Sequence, residues 1–248
     1  MLALDNSAAN TRPEAGYGSA LCRSRTPCRL SSKEALVEID PKSVPPPAVY
    51  KILIGCIVPR PIAWVSTVGA DGVNNVAPFS FFMGVCSDPP TLAFSSGPRG
   101  GGSTTGAGVR KDTVRNLEAT GEFVVNVVDD SLAEQMNLTS GEYPPEVDEF
   151  RVAGLTPAAG VKVRAPRVLE APISMECRVV QILRVGRGPH SLVLGEIVHF
   201  HLRDDLYDRA TGRVDMRRLR PVGRLAGEMY THVHDLFEMK RPVSNYAG

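Results

Sequence analysis

The stretch that decides the fold reads RPIAWVSTV (residues 60–68), GADG (69–72) and then NVAPFSFF (75–82). Asp71-Gly72 separates two extended runs. Asp-Gly in this position is a strong local signal for a β-hairpin, because glycine tolerates the positive φ that the turn requires. The returning run places amide and hydroxyl groups beside aromatic rings. Such a surface suits a flat ring system with polar edges, which predicts a bound cofactor rather than a purely structural hairpin.

Composition limits the partners and the location of the protein. The 248 residues, 43% of them hydrophobic, suffice for one large domain or two small ones. The net charge of +1 provides no field that would attract nucleic acid or an acidic membrane, and no apolar run has the length of a transmembrane helix. The five cysteines are odd in number and include no C-x-x-C pair. We therefore expect a cytoplasmic protein with neither a disulfide framework nor a zinc site.

The N-terminal part differs in composition from the rest of the chain. It contains Arg12, Arg23, Arg25 and Arg29 among many Ser and Ala residues. This pattern is compatible with a transit peptide, but it favours a disordered extension. Three consecutive prolines at 45–47 close this part, and ordered structure is expected to begin near Tyr50. We expect a disordered extension over 1–48, one barrel domain over 49–242 and a tail over 243–248.

Hydrophobic alternation predicts a mainly β chain with a few short helices. Strands are expected at 91–96, 122–128, 173–185 and 191–202, and a Gly-rich surface loop at 97–108. One helix should follow Asp112 or Thr113 as its cap and end at Gly121, and a second should span 131–138. The alternation favours antiparallel pairing. A closed or partly closed barrel would remove the free strand edges.

A candidate phosphate site lies at RKDT (110–113), where a helix is expected to begin. The free N–H groups of a helix start, the charge of Lys111 and the hydroxyl of Thr113 all suit an anion. Ser66-Thr67 and Ser95-Ser96-Gly97, at the ends of two strands, would add hydroxyls and a close backbone approach. Each segment alone is compatible with an ordinary capped helix or polar strand end. No P-loop, G-x-G-x-x-G, G-x-S-x-G or H-E-x-x-H motif is present.

Histidine pairs offer a second type of site. His199 and His201 lie two residues apart on one strand, and His232 and His234 repeat the spacing. Four histidines are able to bind a metal ion, but no acidic or cysteine ligand accompanies them in the sequence, so we expect no metal. A cysteine nucleophile with a histidine base is not supported either, since no neighbouring residue would orient the pair.

Several motifs, in the right order, resemble those of the flavin reductase-like family of FMN-binding split-barrel proteins, which includes flavoredoxin-like members. They are PRPIA (59–63), NVAPFSFF (75–82), SDPP (87–90), KDTVRN (111–116), EFVVN (122–126), LGEIVH (194–199) and GRLAGEMY (223–230). The resemblance runs from about Tyr50 to Pro242. It implies an antiparallel, six-stranded Greek-key split barrel, usually a homodimer, with one FMN per subunit near the dimer interface.

By position, the resemblance also implies a set of cofactor-binding residues. Those lining the flavin along the first strand would be Ser66, Thr67 and Val68. Those contacting the edge of the isoalloxazine ring, largely through the backbone, would be Asn75, Ala77, Pro78, Phe79 and Ser80. Those surrounding the ribityl phosphate would be Ser95, Ser96, Gly97, Lys111, Asp112 and Thr113. Whether Arg99 or Arg110 also reaches the phosphate stays open.

The activity that the resemblance implies is hydride transfer from NADH or NADPH to flavin N5, with FMN, or else FAD, as the flavin. The cofactors carry this chemistry, so no catalytic side chain is expected. Reduced flavin would then be available to a partner monooxygenase. Two alternatives stay open: a flavoredoxin-like FMN electron carrier, and a flavoenzyme acting on ferric iron or a small organic acceptor. The sequence does not distinguish NADH from NADPH.

Overall fold

The computed structural model of the protein describes residues 36–99 and 110–243. The described helices and strands belong to one compact unit, Asp40–Gly248. Of the preceding unit, Met1–Ile39, only residues 36–39 are described, and they are exposed and irregular. The expected domain boundaries stay predictions, and most of the loop expected at 97–108 lies outside the described residues. Within those residues, no helix is long and apolar enough to cross a membrane.

Strands make up most of the regular structure. In chain order they are β1 (Ala63–Val68), β2 (Asn74–Phe79), β3 (Phe82–Ser87), β4 (Pro90–Ser96), β5 (Glu122–Asn126), β6 (Pro157–Ala158), β7 (Arg167–Val168), β8 (Ile173–Val185), β9 (His190–Leu202), β10 (Tyr207–Asp208), β11 (Arg213–Val214), β12 (Val222–Arg224) and β13 (Tyr230–His232). The α-helices are α1 (Pro46–Cys56), α2 (Asp112–Thr120), α3 (Ala133–Leu138), α4 (Glu149–Val152) and α5 (Met216–Leu219). Single 3-10 turns lie at Asp130–Leu132 and Asp204–Leu206.

Seven of these strands form one antiparallel sheet in the order β2-β1-β5-β8-β9-β4-β3. The remaining strands pair as β6-β7, β10-β11 and β12-β13. The expected mainly β, antiparallel architecture with short helices is therefore confirmed. The sheet has seven strands where the family resemblance implied six, because the run expected to continue to residue 82 divides into β2 and β3 after Phe79.

The hairpin that opens the sheet forms where the Asp-Gly signal placed it. Val68 pairs with Asn74 across the turn, and the Gly69 N–H donates to the Val73 carbonyl at 2.9 Å. Gly72 adopts a φ of 84°, a conformation that an L side chain rarely takes. The hairpin prediction is confirmed in position and in its reason.

Helix α2 ends as expected but begins differently. Gly121, with a φ of 70°, closes it in the left-handed conformation. The residue at its N-cap is Lys111, and no side chain of the residues that the structure describes caps the start of the helix. The expected cap by Asp112 or Thr113 is wrong because both side chains have other partners. The Asp112 carboxylate pairs with Arg99 and Arg115, and the Thr113 hydroxyl donates to the side chain of Asn75.

Strand β1 is buried on both faces, which places it at the centre of the core. Ala63 and Val65 pack in one apolar cluster with the rings of Phe94 and Phe123, while Trp64 packs on the opposite face. The buried indole N–H of Trp64 donates to the Thr139 hydroxyl at 2.8 Å. The core thereby fixes the start of the segment 139–143, which lines a cleft beside β2.

A close contact between two strands fixes the packing inside the sheet. Gly195 on β9 faces the buried ring of Phe123 on β5, and a Cβ atom at position 195 would lie 2.3 Å from Cζ of that ring. Phe123 in turn packs edge-on against Phe94. The absent side chain at position 195 is therefore what allows the ring to occupy this place.

Replacing Gly195 with alanine should destabilise the protein by about 1–3 kcal/mol, because the buried Phe123 ring has to move into an already filled core. Gly84→Ala is the matched control, since a Cβ at Gly84 on β3 would meet no atom within 4 Å. Its effect should be below about 0.5 kcal/mol. Urea unfolding measures both values, and equal effects of the two substitutions would contradict the packing described here.

Candidate functional site

Two adjoining clefts lie beside strand β2. The narrow cleft is lined by Asn75, Ala77, Pro78, Arg99, Lys111, Asp112, Thr113, Thr139, Ser140, Gly141, Glu142, Tyr143 and Glu149. The wide cleft is lined by Tyr50, Ile54, Arg60, Ile62, Pro78, Ser80, Lys111, Met136, Asn137, Ser140, Arg224, Gly227, Glu228 and Tyr230. Its volume of about 790 Å³ is in the range of small-molecule sites. The clefts meet at Pro78, Lys111 and Ser140.

A buried hydrogen-bond network forms the base of the narrow cleft. The Asn75 amide group donates to Glu149 Oε1 at 2.8 Å, and the Asn75 carbonyl oxygen accepts from the Thr113 hydroxyl at 2.8 Å. The other carboxylate oxygen of Glu149 accepts from the Val76 backbone N–H at 3.3 Å. Strand β2, the first turn of α2 and the first turn of α4 are thus joined through side chains that are almost completely buried.

The Glu149 carboxyl is 5% exposed. Burial raises the pKa of Glu149, while the hydrogen bonds from Val76 and Asn75 act in the opposite direction without cancelling it. A carboxyl group with a raised pKa binds a proton more readily in the folded protein than in the unfolded chain. The network therefore has a proton equilibrium of its own, next to the cleft.

Lys111 occupies the junction of the two clefts at the start of α2. Its ammonium group lies 5.4 Å from the centre of the Phe79 ring, and burial lowers its pKa. The first turn of a helix leaves backbone N–H groups without intrahelical acceptors, and no side chain of the described residues caps those of α2. A cation and free N–H groups in one place make this end of the clefts suitable for an anion.

The two arginines that precede α2 in the chain, Arg99 and Arg110, have different roles. Arg99 lines the narrow cleft, pairs with Asp112 and donates to the Tyr143 carbonyl at 2.8 Å. Arg110 pairs instead with Glu118 on the outer side of the helix and is not among the lining residues. Of the two arginines left open by the sequence, Arg99 is the one that the fold places at the cleft.

The wide cleft is shaped by the guanidinium group of Arg60, which is 4% exposed. It donates to the carbonyls of Ile54 and Ile57 at 2.7 Å each, to the Leu225 carbonyl at 2.8 Å and to the Ser80 hydroxyl at 3.3 Å. One side chain therefore joins the end of α1, the residue after β2 and the β12–β13 hairpin. These are three walls of the same cleft.

The hairpin joining β12 to β13 supplies the opposite wall. Arg224 stacks on the Tyr230 ring, with its guanidinium carbon 4.3 Å from the ring centre. The turn closes with a hydrogen bond from the Leu225 N–H to the Met229 carbonyl at 2.9 Å, and Gly227 takes a positive φ of 59°. Tyr50 of α1 also lines this cleft. The lining of the wide cleft thus includes aromatic and cationic side chains.

Half of the residues predicted from the sequence line these clefts. They are Asn75, Ala77, Pro78, Ser80, Lys111, Asp112 and Thr113. The lining does not include Ser66, Thr67, Val68, Phe79, Ser95, Ser96 or Gly97. A cofactor-binding role for any of the fourteen stays a prediction.

The predicted residues outside the lining are mostly engaged in the core. Ser66 is completely buried, donates to the Pro166 carbonyl and accepts from Asn126 at 3.0 Å. Thr67, also buried, accepts from the Asn116 amide at 3.0 Å. The Phe79 ring packs on Phe94.

Sequence reasoning assigned no role to several residues that the fold brings to the clefts. Arg60 and the motif 223–230 carried the family resemblance, but nothing in them indicated which side chains would face a cavity. Neither Glu149 nor the segment 139–143 carries a recognisable motif. The one local signal near them is Asp148, whose side chain caps the short helix α4 by accepting from the Phe150 N–H at 2.9 Å. Their positions depend on contacts between parts of the chain that are distant in sequence.

One histidine of each pair contacts a carboxylate. His201 lies 2.6 Å from Glu176, which also accepts three backbone N–H bonds from residues 161–163 and has its pKa lowered to about 2 by these hydrogen bonds against the effect of burial. His232 lies 2.6 Å from Asp130. The sequence had placed no acidic group near these histidines, because both carboxylates come from other elements. The described residues contain no group of three or more potential metal ligands.

Comparison with known proteins gives consistent matches. A sequence model of the flavin reductase like domain matches residues 54–219. Nitrilotriacetate monooxygenase component B from Bacillus cereus has a TM-score of 0.77 and 36% identity over 83% of this chain and 100% of its own. For 2-nitrobenzoate 2-nitroreductase from Pseudomonas fluorescens the TM-score is 0.75 and the identity 30%, over 86% and 100%.

A more distant structure establishes the fold class. A protein with a split barrel domain from Shewanella frigidimarina has a TM-score of 0.69 and 20% identity, over 81% of this chain and 96% of its own. At this identity the likeness concerns the fold alone. The predicted split β-barrel is therefore confirmed.

The Glu149→Gln substitution should change how stability depends on pH. Because burial raises the pKa of Glu149, the folded wild type binds more protons than the unfolded chain above the ordinary pKa of glutamate. The free energy of unfolding of the wild type, relative to that of the variant, should therefore fall as the pH rises from about 4 to 8. Urea unfolding across that range measures the difference.

Glu134→Gln is the matched control for this prediction, because Glu134 is an exposed carboxylate on α3. Its difference from the wild type should not vary with pH in the same way. A constant difference for Glu149→Gln would show that this carboxyl is ionised as easily in the folded protein as in the unfolded chain.

Proposed function

Because the chain belongs to the flavin reductase-like family, we propose that it binds FMN in the two clefts and reduces this flavin with NADH or NADPH. The observation that carries the proposal is the junction at Lys111, where a cationic helix start opens into a cleft of about 790 Å³. One end suits a phosphate, and the other has room for a ring system. FAD is the alternative flavin.

The residues present fit FMN in chemistry as well as in size. Lys111 and the first N–H groups of α2 would hold the ribityl phosphate, with Arg99 close by and its charge balanced against Asp112. A bound dianion would also offset the loss of hydration of the buried Lys111 ammonium group. The β2 residues Ala77 and Pro78, with Ser80 after them, would lie along the ring edge.

The chain's own contribution is binding and orientation. FMN, when bound, supplies the hydride chemistry by accepting a hydride at N5 from a reduced nicotinamide and passing the electrons on. Backbone N–H groups at Phe79 or Ser80 would donate to the ring edge and favour negative charge there. The nearby carboxyl of Glu149 already accepts two hydrogen bonds behind Asn75, so it serves as support for the wall and not as an acid or base.

The similarity to nitrilotriacetate monooxygenase component B supports a role in supplying reduced flavin to a partner monooxygenase. The similarity to 2-nitrobenzoate 2-nitroreductase supports a second candidate, in which the bound flavin reduces a small organic acceptor directly. Both relatives are at least 30% identical over their whole length. We also propose a homodimer located in the cytoplasm, as the family resemblance and the cysteine content suggest.

Replacing Lys111 with methionine should weaken FMN binding by about 10- to 100-fold, the value of one charge-assisted hydrogen bond. Riboflavin, which lacks the phosphate, should lose little affinity. Quenching of flavin fluorescence measures both dissociation constants. Arg110→Met is the matched control, since the neighbouring Arg110 pairs with Glu118 outside the clefts. Equal losses for FMN and riboflavin would mean that Lys111 does not contact the phosphate.

Anaerobic addition of NADH or NADPH to the FMN-loaded protein should bleach the visible absorbance of the flavin. A partner role predicts that reduced flavin leaves the protein and supports an unrelated flavin-dependent monooxygenase added to the mixture. Direct reduction predicts instead that a nitroaromatic acceptor reoxidises the flavin while it is bound. No bleaching with either nucleotide would refute the proposed reductase activity.

A further inference from the structure

Two arginines meet backbone to backbone at one wall of the wide cleft. The Arg60 N–H donates to the Arg224 carbonyl, and the Arg224 N–H donates to the Arg60 carbonyl, both at 2.9 Å. Both side chains line the cleft, as does Lys111. Burial lowers the pKa of Arg60; Tyr50 acts in the opposite direction, and the positive charge of Arg224 lowers the pKa further. Two cationic side chains on paired backbone positions favour a compensating anion beside them.

The described residues do not provide that anion. Neither guanidinium forms a salt bridge with a described carboxylate. Among the described residues that line the cleft, Glu228 is the only acidic one, and it is exposed on the hairpin turn. Within this described lining, the three cations Arg60, Lys111 and Arg224 therefore outnumber the acidic groups.

The two arginines differ in what their N–H groups already do. Four hydrogen bonds to protein acceptors occupy the guanidinium of Arg60, so it contributes charge and rigidity. Among described partners, Arg224 donates from its side chain only to the Gly227 carbonyl, and it is half-buried. Its flat face rests on the Tyr230 ring, which holds the guanidinium in one plane.

We propose that Arg224 binds an anionic group of the second substrate, the one that meets the flavin in the wide cleft. The inference rests on the proposed function. A planar guanidinium with free donors recognises a phosphate or a carboxylate through paired hydrogen bonds. The anion is thus a phosphate of the nicotinamide dinucleotide or the carboxylate of a small organic acceptor. Lys111, which lines both clefts, is assigned to the phosphate of the flavin itself.

The test compares charged ligands with neutral counterparts on the FMN-loaded protein. The charged ligands are NAD⁺, NADP⁺, NADH, NADPH and 2-nitrobenzoate. The neutral counterpart of the reduced nucleotides is 1-benzyl nicotinamide in its reduced form, and that of 2-nitrobenzoate is 2-nitrobenzamide. Calorimetry gives dissociation constants for the unreactive ligands, and steady-state kinetics gives KM for the reduced donors. The variant is Arg224→Gln. Arg217→Gln is the matched control, because Arg217 is an exposed arginine on α5 outside the cleft lining.

Arg224→Gln should raise the dissociation constant or KM of at least one charged ligand by about 10- to 100-fold and change that of its neutral counterpart by less than about twofold. The ligand that is weakened identifies the anion as a nucleotide phosphate or a carboxylate. Arg217→Gln should weaken the binding of neither the charged nor the neutral ligands. Equal effects on charged and neutral ligands, or no effect on any of them, would overturn the proposal.

Two further measurements keep the outcome clear. If the glutamine variant does not fold or bind FMN, Arg224→Lys keeps the charge without the planar fork and should still weaken the charged ligand, by about 3- to 10-fold. An unchanged affinity in that variant counts against the proposal. If the wild type oxidises neither NADH nor NADPH, the proposed reductase function fails, whereas calorimetry with the charged ligands still decides whether Arg224 binds an anion.

Discussion

The side-chain amide of Asn75 is the contact on which the arrangement of the narrow cleft depends. It donates to Glu149 of α4 and accepts from Thr113 of α2, while its own strand forms the cleft wall. A side chain here has to donate and accept at once, and an aspartate would instead place a second carboxylate beside Glu149. A buried network of this kind is strong only when every member is satisfied. The wall is therefore set by hydrogen bonds as well as by apolar packing.

Arg60 has the corresponding role in the wide cleft, but its charge is handled differently from the charges around α2. At α2, the Asp112 carboxylate pairs with both Arg99 and Arg115 and offsets one of their two positive charges. Arg60 is held by carbonyl and hydroxyl oxygens instead, which stabilise the cation without cancelling its charge. A positive potential in a partly closed cleft persists because low-dielectric walls screen it less than water does. The same buried side chain thus positions three walls and keeps the cleft attractive to anions.

How far the sequence predicted this molecule depends on whether the relevant signal is local. The hairpin turn at Gly72, the left-handed end of α2 at Gly121 and the bounds of β8 follow from neighbouring residues, and all three are present. The burial along β8 does not alternate as its sequence does, because register shifts interrupt its pairing with β9. Ser66 and Thr67 show the limit. Strand β1 is buried on both faces, so alternation does not say which face meets a cleft. The contact of Glu149 with Asn75 joins segments that are distant in the sequence. The contact of Arg224 with Tyr230 depends on a turn whose geometry the sequence does not specify.

Two of the three walls of the wide cleft, the one at β2 and the one at the β12–β13 hairpin, differ in how firmly they are fixed. The β2 wall belongs to the buried sheet and is joined to two helices through Asn75. The β12–β13 wall is a short hairpin whose turn, residues 227–229, is exposed. Exposed turns with few buried contacts open at a lower free energy than core strands do. A flavin bound along β2 would therefore keep a constant position. The exposed turn at 227–229 lies beyond the part of the hairpin that Arg60 holds, and it would open more easily when a substrate enters or leaves. When a cofactor carries the chemistry, the protein has to hold the cofactor in a fixed orientation and still let the substrate enter and leave. A firmly held β2 wall and an exposed turn that opens more easily would meet both requirements.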